Sequence, residues 1–429
     1  MHRKTIVFSC ALYCAFTAAH AHAQTAEHAI SDLVQGALER NREILATRQR
    51  VTEAQGLLRQ AGVRPNPTLE VEGGTGRPLG TRGEEEYSAG YFHPIELGGK
   101  RNKRVSVAEF TVSLAEAELD ERTRQLSFEV RSHAIDALVD REKDKALERL
   151  AGVNQQAYKL AEARVKEGDV PRLDAQLLLV EQNRTEAQRA SLLGRLEADF
   201  VELRRLIGVD SGAIVPLGDS IPLRSDDFTV QGLQEQALKK RPDVRVARLL
   251  ENQGKAEITL AEAESWPDVT LSAKYIHRNS AFDQFGLSST GSQVPIRDSD
   301  NVVMFGASIP LFTGKRNQGN IEAANARATG NALRKQHLEA SIPLEVEAAY
   351  RRFAAAKNAL AIFGRGIVDQ SEKNLQVIRE AYQLGHLRLL DVLNEQRRLA
   401  DTELSYIDAK AEFARALIEL ERVVGGDLP

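Results

Sequence analysis

From Asn102 to Lys166 the chain carries no proline, and apolar residues fall at Val107, Phe110, Leu114 and Ala117, then at Leu147, Leu150, Val153, Ala157 and Leu160. Steps of three and four put these side chains on one helical face, so the spacing predicts a single long helix. At about 1.5 Å per residue such a helix reaches on the order of 100 Å. The stretch from Gln318 to Gln383 predicts a second one, kinked at Pro343. Ala400, Leu404, Ile407, Ala411, Ala414 and Ile418 continue the same period in a last helix, where alanine permits close approach of neighbours.

Between the helices the period changes to two. After Trp266-Pro267, Val269, Leu271, Ala273 and Tyr275 alternate with Thr270, Ser272 and Lys274, and Ile276 alone breaks the pattern. Val303, Phe305, Ala307 and Ile309 form a second apolar row, and Leu69, Val71, Tyr87, Ala89 and Tyr91 repeat the idea earlier in the chain. Four strands of about 10 residues each are expected, the length of a tilted membrane-spanning strand. Tyr87, Tyr91, Trp266, Tyr275 and Phe312 suit the interfacial aromatic belts. Two soluble hairpins packed on the helices are the other reading, but nothing else in a helix-dominated chain would cover four half-apolar strands.

The whole pattern occurs twice. Ala37-Leu38 returns as Ala237-Leu238, Thr68-Leu69 as Thr270-Leu271, and Gly99-Lys100-Arg101-Asn102 as Gly314-Lys315-Arg316-Asn317; Gly168, Leu173 and Asp174 return 217 positions on as Gly385, Leu390 and Asp391. A long-period duplication means one structural unit used twice. The boundaries expected are 1–23 for a signal segment, 24–208 for the first repeat, 209–227 for a linker holding Pro216 and Pro222, and 228–429 for the second repeat.

The signal segment rests on Arg3 and Lys4, an apolar run from Thr5 to Ala19, and the small residues Ala21 and Ala23. Its run is shorter than the ~20 residues of a membrane anchor. Cys10 and Cys14 both lie within it, so a mature chain has no disulfide and no thiolate metal site. An acylated-cysteine anchor would have to use one of these two, Cys10 behind a very short apolar run or Cys14 behind Tyr13. Removal of the segment leaves 55 basic against 61 acidic residues, a net charge of −6 that argues against nucleic acid as main partner.

No catalytic constellation emerges. The nine histidines are scattered, and no pair has the helical spacing of a metal site. His386 reads as a solvated turn residue. Gly-Lys-Arg-Asn lacks the upstream glycine and the following Ser or Thr of a phosphate loop. Its expected work is to end a strand and open the long helix, with Lys100, Arg101, Lys315 and Arg316 near lipid phosphates. Gly168 with Pro171, and Gly385, mark turns between helices, with Asp174 and Asp391 starting or capping the return helices. No cofactor is implied.

Four strands cannot close a barrel, and an open edge in lipid leaves backbone groups unsatisfied, so the chain must oligomerise. Two copies give eight strands, filled by side chains; three give twelve and begin to leave a lumen. The twofold order of helix, strand pair, long helix, turn and helix resembles the TolC family of outer-membrane efflux proteins, over essentially all of the mature chain. The segment His93-Pro94-Ile95-Glu96-Leu97-Gly98-Gly99-Lys100-Arg101 is similar to the strand-to-helix junction of the cobalt-zinc-cadmium branch. The resemblance implies a mostly α fold with a transmembrane β part, two tandem repeats, and a trimeric twelve-stranded outer-membrane barrel continuous with a long periplasmic α-helical barrel. It implies a homotrimer in outer-membrane lipid, a periplasmic adaptor and an inner-membrane proton-driven pump of the RND type as partners.

The resemblance also assigns the turns to a periplasmic aperture, with Asp174, Tyr382, Arg388 and Asp391 between neighbouring coils and Gly168, Leu173, Gly385 and Leu390 meeting the adaptor. Two positions depart from the family pattern: Leu387 stands where arginine is expected, with Arg388 one step later, and Asn394 replaces a second acid. The functions open to the chain are export of heavy-metal cations, a drug-efflux or type I secretion duct of the same fold, or a secreted coiled-coil structural protein. A coiled-coil protein explains the helices but not the strands, and no site supports an enzyme.

Overall fold

The computed structural model describes residues 30–80, 83–218, 221–223, 228–311, 316–384 and 386–428. The signal segment, Phe312, Gly314, Lys315 and Gly385 lie outside the described residues. Helix α1 covers 30–40, and α2 (Arg42–Ala61) leads to strand β1 (Thr68–Thr75), a short 3-10 turn, and β2 (Glu85–Ile95). Then come α3 (Lys100–Glu167), α4 (Arg172–Ile207), α5 (Val230–Lys240), α6 (Pro242–Glu264), β3 (Val269–Leu287), β4 (Gln293–Ser308), α7 (Gln318–Phe363), α8 (Ile367–Gln383) and α9 (Leu389–Val424). The chain forms two compact units. One holds residues 1–49, 117–245 and 336–429, and the other 50–116 and 246–335.

The first unit is helical, and two apolar cores share α9. One core joins Ile30 and Leu33 of α1, Leu126, Ile135 and Leu138 of α3, Leu203 and Leu206 of α4, and Ile407 and Ala411 of α9. The other joins Leu233 of α5, Ile342, Val346 and Phe353 of α7, and Phe413, Leu417 and Leu420 of α9. Each repeat closes with the same hook. Asn41, between α1 and α2, donates from Nδ2 to the Leu206 carbonyl at the end of α4, where Gly208 takes φ 77° and approaches the Arg40 carbonyl too closely for a Cβ. Arg241, two hundred residues on, donates to the Val423 carbonyl at the end of α9, where Gly425 takes φ 94° against Arg241 itself. Arg241 is buried, and ion pairs with Asp243 and Glu345 neutralise it.

α3 runs unbroken for 68 residues, as its period predicts. The second long helix does not. It passes through Pro343 and stops at Phe363, and Gly364-Arg365-Gly366 separates α7 from α8. Gly366 sits at φ 91°, a conformation that ends a helix at little steric cost only when the residue is glycine.

The second unit carries one antiparallel sheet in the order β1-β2-β3-β4. β1 and β2 have 8 and 11 residues, but β3 and β4 have 19 and 16, longer than the expected spans. β2 pairs with β3 only as far as Asn279, and beyond it β3 and β4 pair with each other alone, across a register shift between Ala281 and Phe285. The surplus length is thus a two-stranded ribbon, not more sheet.

Glu251 on α6 lies 2.7 Å from Lys255 and 2.6 Å from Lys335 of α7. Hydrogen bonds from Lys255 first, then Lys335, pull its carboxyl down to about 2. Stability from this pair is fully present above the ordinary value of 4.5 and drains away as pH falls towards 2. Hydrogen exchange of α6 amides is therefore expected to accelerate across that window in the wild type and to lose the dependence in Glu251→Gln.

Candidate functional site

Strict alternation puts every second residue of the sheet on one face, and the register shows what shares each row. Val71, Ala89, Tyr275 and Val303 lie side by side, as do Leu69, Tyr91, Ala273 and Phe305, then His93, Leu271 and Ala307. This face is apolar and open to its surroundings, with Val71 75 %, Leu69 72 % and Phe305 83 % exposed. The opposite face holds Glu70, Lys274 and Met304 in one row and Glu72, Ser88, Ile276 and Val302 in the next. Lys274 Nζ binds Glu72 at 2.6 Å, Ser88 Oγ donates to Glu72, and Arg278 binds Glu86 at 2.8 Å. Ser88 is only 6 % exposed. An apolar face left bare, opposite a face of paired charges, is the inverse of a water-soluble sheet. Ile276, the residue that broke the sequence alternation, keeps its place on the polar face and is paired with Val302.

Tyr87 lies near the end of the apolar band, in register with His277, and Tyr91 shares a row with Ala273 and Phe305. Both edge strands, β1 and β4, are exposed along their whole length, and neither has an outer partner within the chain among the described residues.

The turn between α3 and α4 follows the sequence closely. Gly168 has φ 84°, and the Asp169 amide reaches back to the Arg164 carbonyl, a left-handed helix stop. The two aspartates then part company. Asp391 Oδ2 accepts the backbone N–H of Arg388 at 3.0 Å and so caps α9. Asp174 occupies the same place in α4, but the residue before its helix is Pro171, which has no N–H to offer. Its carboxylate makes no hydrogen bond or ion pair among the described residues. Leu173 and Leu390 are both exposed, at 60 % and 44 %. Tyr382 is half-buried in a small apolar cluster with Leu178, Leu389 and Leu393, whereas the Arg388 side chain is 85 % exposed, 3.8 Å from Asp391.

Sequence features of outer membrane efflux proteins match residues 33–209 and 233–426. The chain belongs to this family. It is 24 % identical over 398 residues to the cobalt-zinc-cadmium resistance protein CzcC of Cupriavidus metallidurans, covering 90 % of this chain and 87 % of that protein. It is also 24 % identical over 420 residues to the solvent efflux pump outer membrane protein SrpC of Pseudomonas putida, covering 93 % and 85 %. The crystal structure of CusC, reported for transmembrane channel formation, superposes with a TM-score of 0.76 at 20 % identity over 93 % of this chain and 92 % of that one. The mostly helical, two-repeat architecture with a small sheet is therefore that of an outer membrane efflux protein, a protein of the outer membrane that reaches into the periplasm.

In this efflux protein the two Gly-Lys-Arg-Asn segments are not used alike. α3 opens at Lys100, whereas α7 opens only at Gln318, after Asn317 has taken φ 52° and donated its side-chain amide to the Ala261 carbonyl. Lys100 departs from the expected lipid contact. Its ammonium lies 2.8 Å from Asp268 with the side chain 11 % exposed, and Asp268 also accepts the Leu97 N–H, so the charge ties the strand end to the helix start. Arg101 is exposed and donates to the Gly62 carbonyl, and Arg316 is exposed. Gly98, at φ 71°, packs so closely on Trp266 that a Cβ would push the ring aside by a few tenths of an ångström. Among the described residues no helix is long and apolar enough to cross a membrane, and no cluster of ligating side chains could hold a metal ion.

Sequence reasoning missed the charge ladder of the polar face. Its signal was present, since Glu70 and Glu72 alternate with Leu69 and Val71. It also missed a buried chain in which Gln396 donates to Asn154 and Asn154 donates to Thr185, linking α9, α3 and α4.

Phe305→Arg, at the centre of the apolar face, is expected to cost ~2 to 4 kcal/mol and to block membrane insertion, measured by folding into lipid vesicles. Lys274→Leu, on the opposite face, should insert. At the turns, Asp391→Ala should destabilise the first turn of α9 by ~0.5 to 2 kcal/mol, and Asp174→Ala should leave α4 unchanged; amide exchange at the two helix starts reads the difference.

Proposed function

We propose that this outer membrane efflux protein is the outer-membrane duct of a tripartite system that exports heavy-metal cations. The observation that carries the duct reading is the inverted sheet, with its apolar face exposed, its opposite face carrying paired charges, and two edges open. Three copies joined edge to edge make a twelve-stranded barrel wide enough for a lumen, with the Glu72–Lys274 ladder inside and the Phe305 row against lipid. The repeats run over 24–208 and 228–429, joined by 209–227.

The turns form the periplasmic aperture. Asp174 is a contact to a neighbouring coil, which its lack of a partner within the chain supports. Asp391 stabilises its own helix and so shapes the aperture from within, with Arg388 beside it; Tyr382 braces the cluster behind. Leu173 and Leu390, exposed at equivalent places in the two repeats, meet a periplasmic adaptor beside Gly168 and Gly385, and the adaptor joins the duct to an inner-membrane pump of the RND type. Heavy-metal cargo is supported by the likeness to CzcC, and the equal likeness to SrpC keeps organic solvents as a second cargo class.

Deletion of the gene should sensitise cells several-fold to cobalt, zinc or cadmium, with resistance restored by the wild type. The Leu173→Glu/Leu390→Glu variant should form the same heat-resistant trimer band and fail to restore resistance. Sensitivity to solvents alone would decide for the second cargo class. Sensitivity to neither, or a monomer in detergent, would contradict the duct.

A further inference from the structure

α4 and α9 are the same helix used twice, and both pack on α3. Each has 36 residues, their first and last positions lie 217 apart, and each ends at a left-handed glycine, Gly208 or Gly425. They also bury equivalent apolar residues: Leu196 and Phe413, Leu203 and Leu420, Leu206 and Val423, Ile207 and Val424. They meet α3 at the same height. Adjacent residues Lys143 and Asp144 contact Asp408 on α9 and Arg189 on α4, and the repeat counterpart of Arg189 is Tyr406, two places from Asp408. Apolar packing therefore gives α3 little basis for telling one helix from the other.

Charge does. Towards α4, α3 presents Asp144 to Arg189 at 2.7 Å and Asp140 to Arg195 at 3.7 Å. Towards α9 it presents Arg131 to Glu421 at 2.6 Å, Asp136 to Arg415 at 2.6 Å, Lys143 to Asp408 at 2.5 Å and Glu142 to Lys410 at 3.2 Å. We propose that these ion pairs are a recognition code by which α3 assigns the two homologous helices to its two sides, so that the duplicated chain folds to one arrangement.

Exchanging the helices breaks all six pairs and makes two of them repulsive. Arg204, the counterpart of Glu421, would face Arg131; Glu412, the counterpart of Arg195, would face Asp140; and Leu193 would replace Lys410 opposite Glu142. Attraction becomes like-charge repulsion or an unpaired charge. Each pair alone is weak at a solvated surface, but a choice between two arrangements depends on the difference, and repulsion in the wrong one adds to attraction in the right one. Burial already holds the Asp140 carboxyl above its usual range, so this group is poorly placed to absorb a further negative neighbour. The polar chain adds to the choice. Gln396 of α9 reaches Asn154, and its counterpart in α4 is Leu179, which cannot.

The test uses the full-length chain with one reporter pair, Leu150→Cys on α3 and Ala400→Cys on α9, whose positions line a single cleft formed with α8. A short cysteine cross-linker should join them. Reversing the α9 side alone, with Asp408→Lys, Lys410→Glu and Arg415→Glu, is expected to reduce the cross-link at least about tenfold. Adding Lys143→Glu, Glu142→Lys and Asp136→Arg on α3 should restore it. Wild-type cross-linking in the singly reversed chain would show that packing alone selects the partner. Loss that the compensating changes fail to restore would show that these charges do not act as matched pairs. Either result overturns the proposal.

Discussion

A backbone group that meets lipid without a hydrogen-bond partner costs several kcal/mol, and β1 and β4 each present a full row of such groups. That constraint organises the rest. A four-stranded sheet with one apolar, exposed face is stable neither in water, where the Phe305 row would lie bare, nor alone in a bilayer, where its edges would. In the proposed assembly, copies of the chain supply the missing edges, and closure would turn the Glu72–Lys274 and Glu86–Arg278 pairs inwards, where water screens them and no side chain has to be charged against hydrocarbon.

The helical unit solves a different problem with different means. Its helices are too long and too polar to be held by one large core, and α3 has apolar residues on more than one side because it touches α1, α4 and α9. Small apolar layers therefore alternate with ion pairs, and a polar chain through Asn154 crosses the interior where three helices meet. Stability comes from many modest contacts spread along the coil.

Much of this was legible in the chain. The step of three and four from Val107 to Leu160 carried α3, the alternation after Trp266-Pro267 carried β3, and Gly168 with Pro171 carried the turn. Sequence pattern was weaker where a residue has two uses. Proline normally ends a helix and glycine is tolerated within one, yet α7 runs through Pro343 and breaks at Gly364 and Gly366. The length of β3 and β4 was hidden because, past Asn279, the two strands pair only with each other and keep no common apolar face. The pairing of Lys100 with Asp268 was not legible at all, since 168 residues separate them. The difference between Asp174 and Asp391 was legible in principle: Pro171 cannot donate to a carboxylate, and Arg388 can.

The two-faced sheet in lipid is the claim on which the account rests, and single spin labels placed in turn at residues 271 to 276 test it most directly. After reconstitution in vesicles, accessibility to oxygen and to a water-soluble nickel complex is measured at each position. The account predicts a period of two, with labels at Leu271, Ala273 and Tyr275 favouring oxygen and labels at Ser272, Lys274 and Ile276 favouring nickel. A flat profile, or nickel access at all six positions, would place the sheet in water and contradict it.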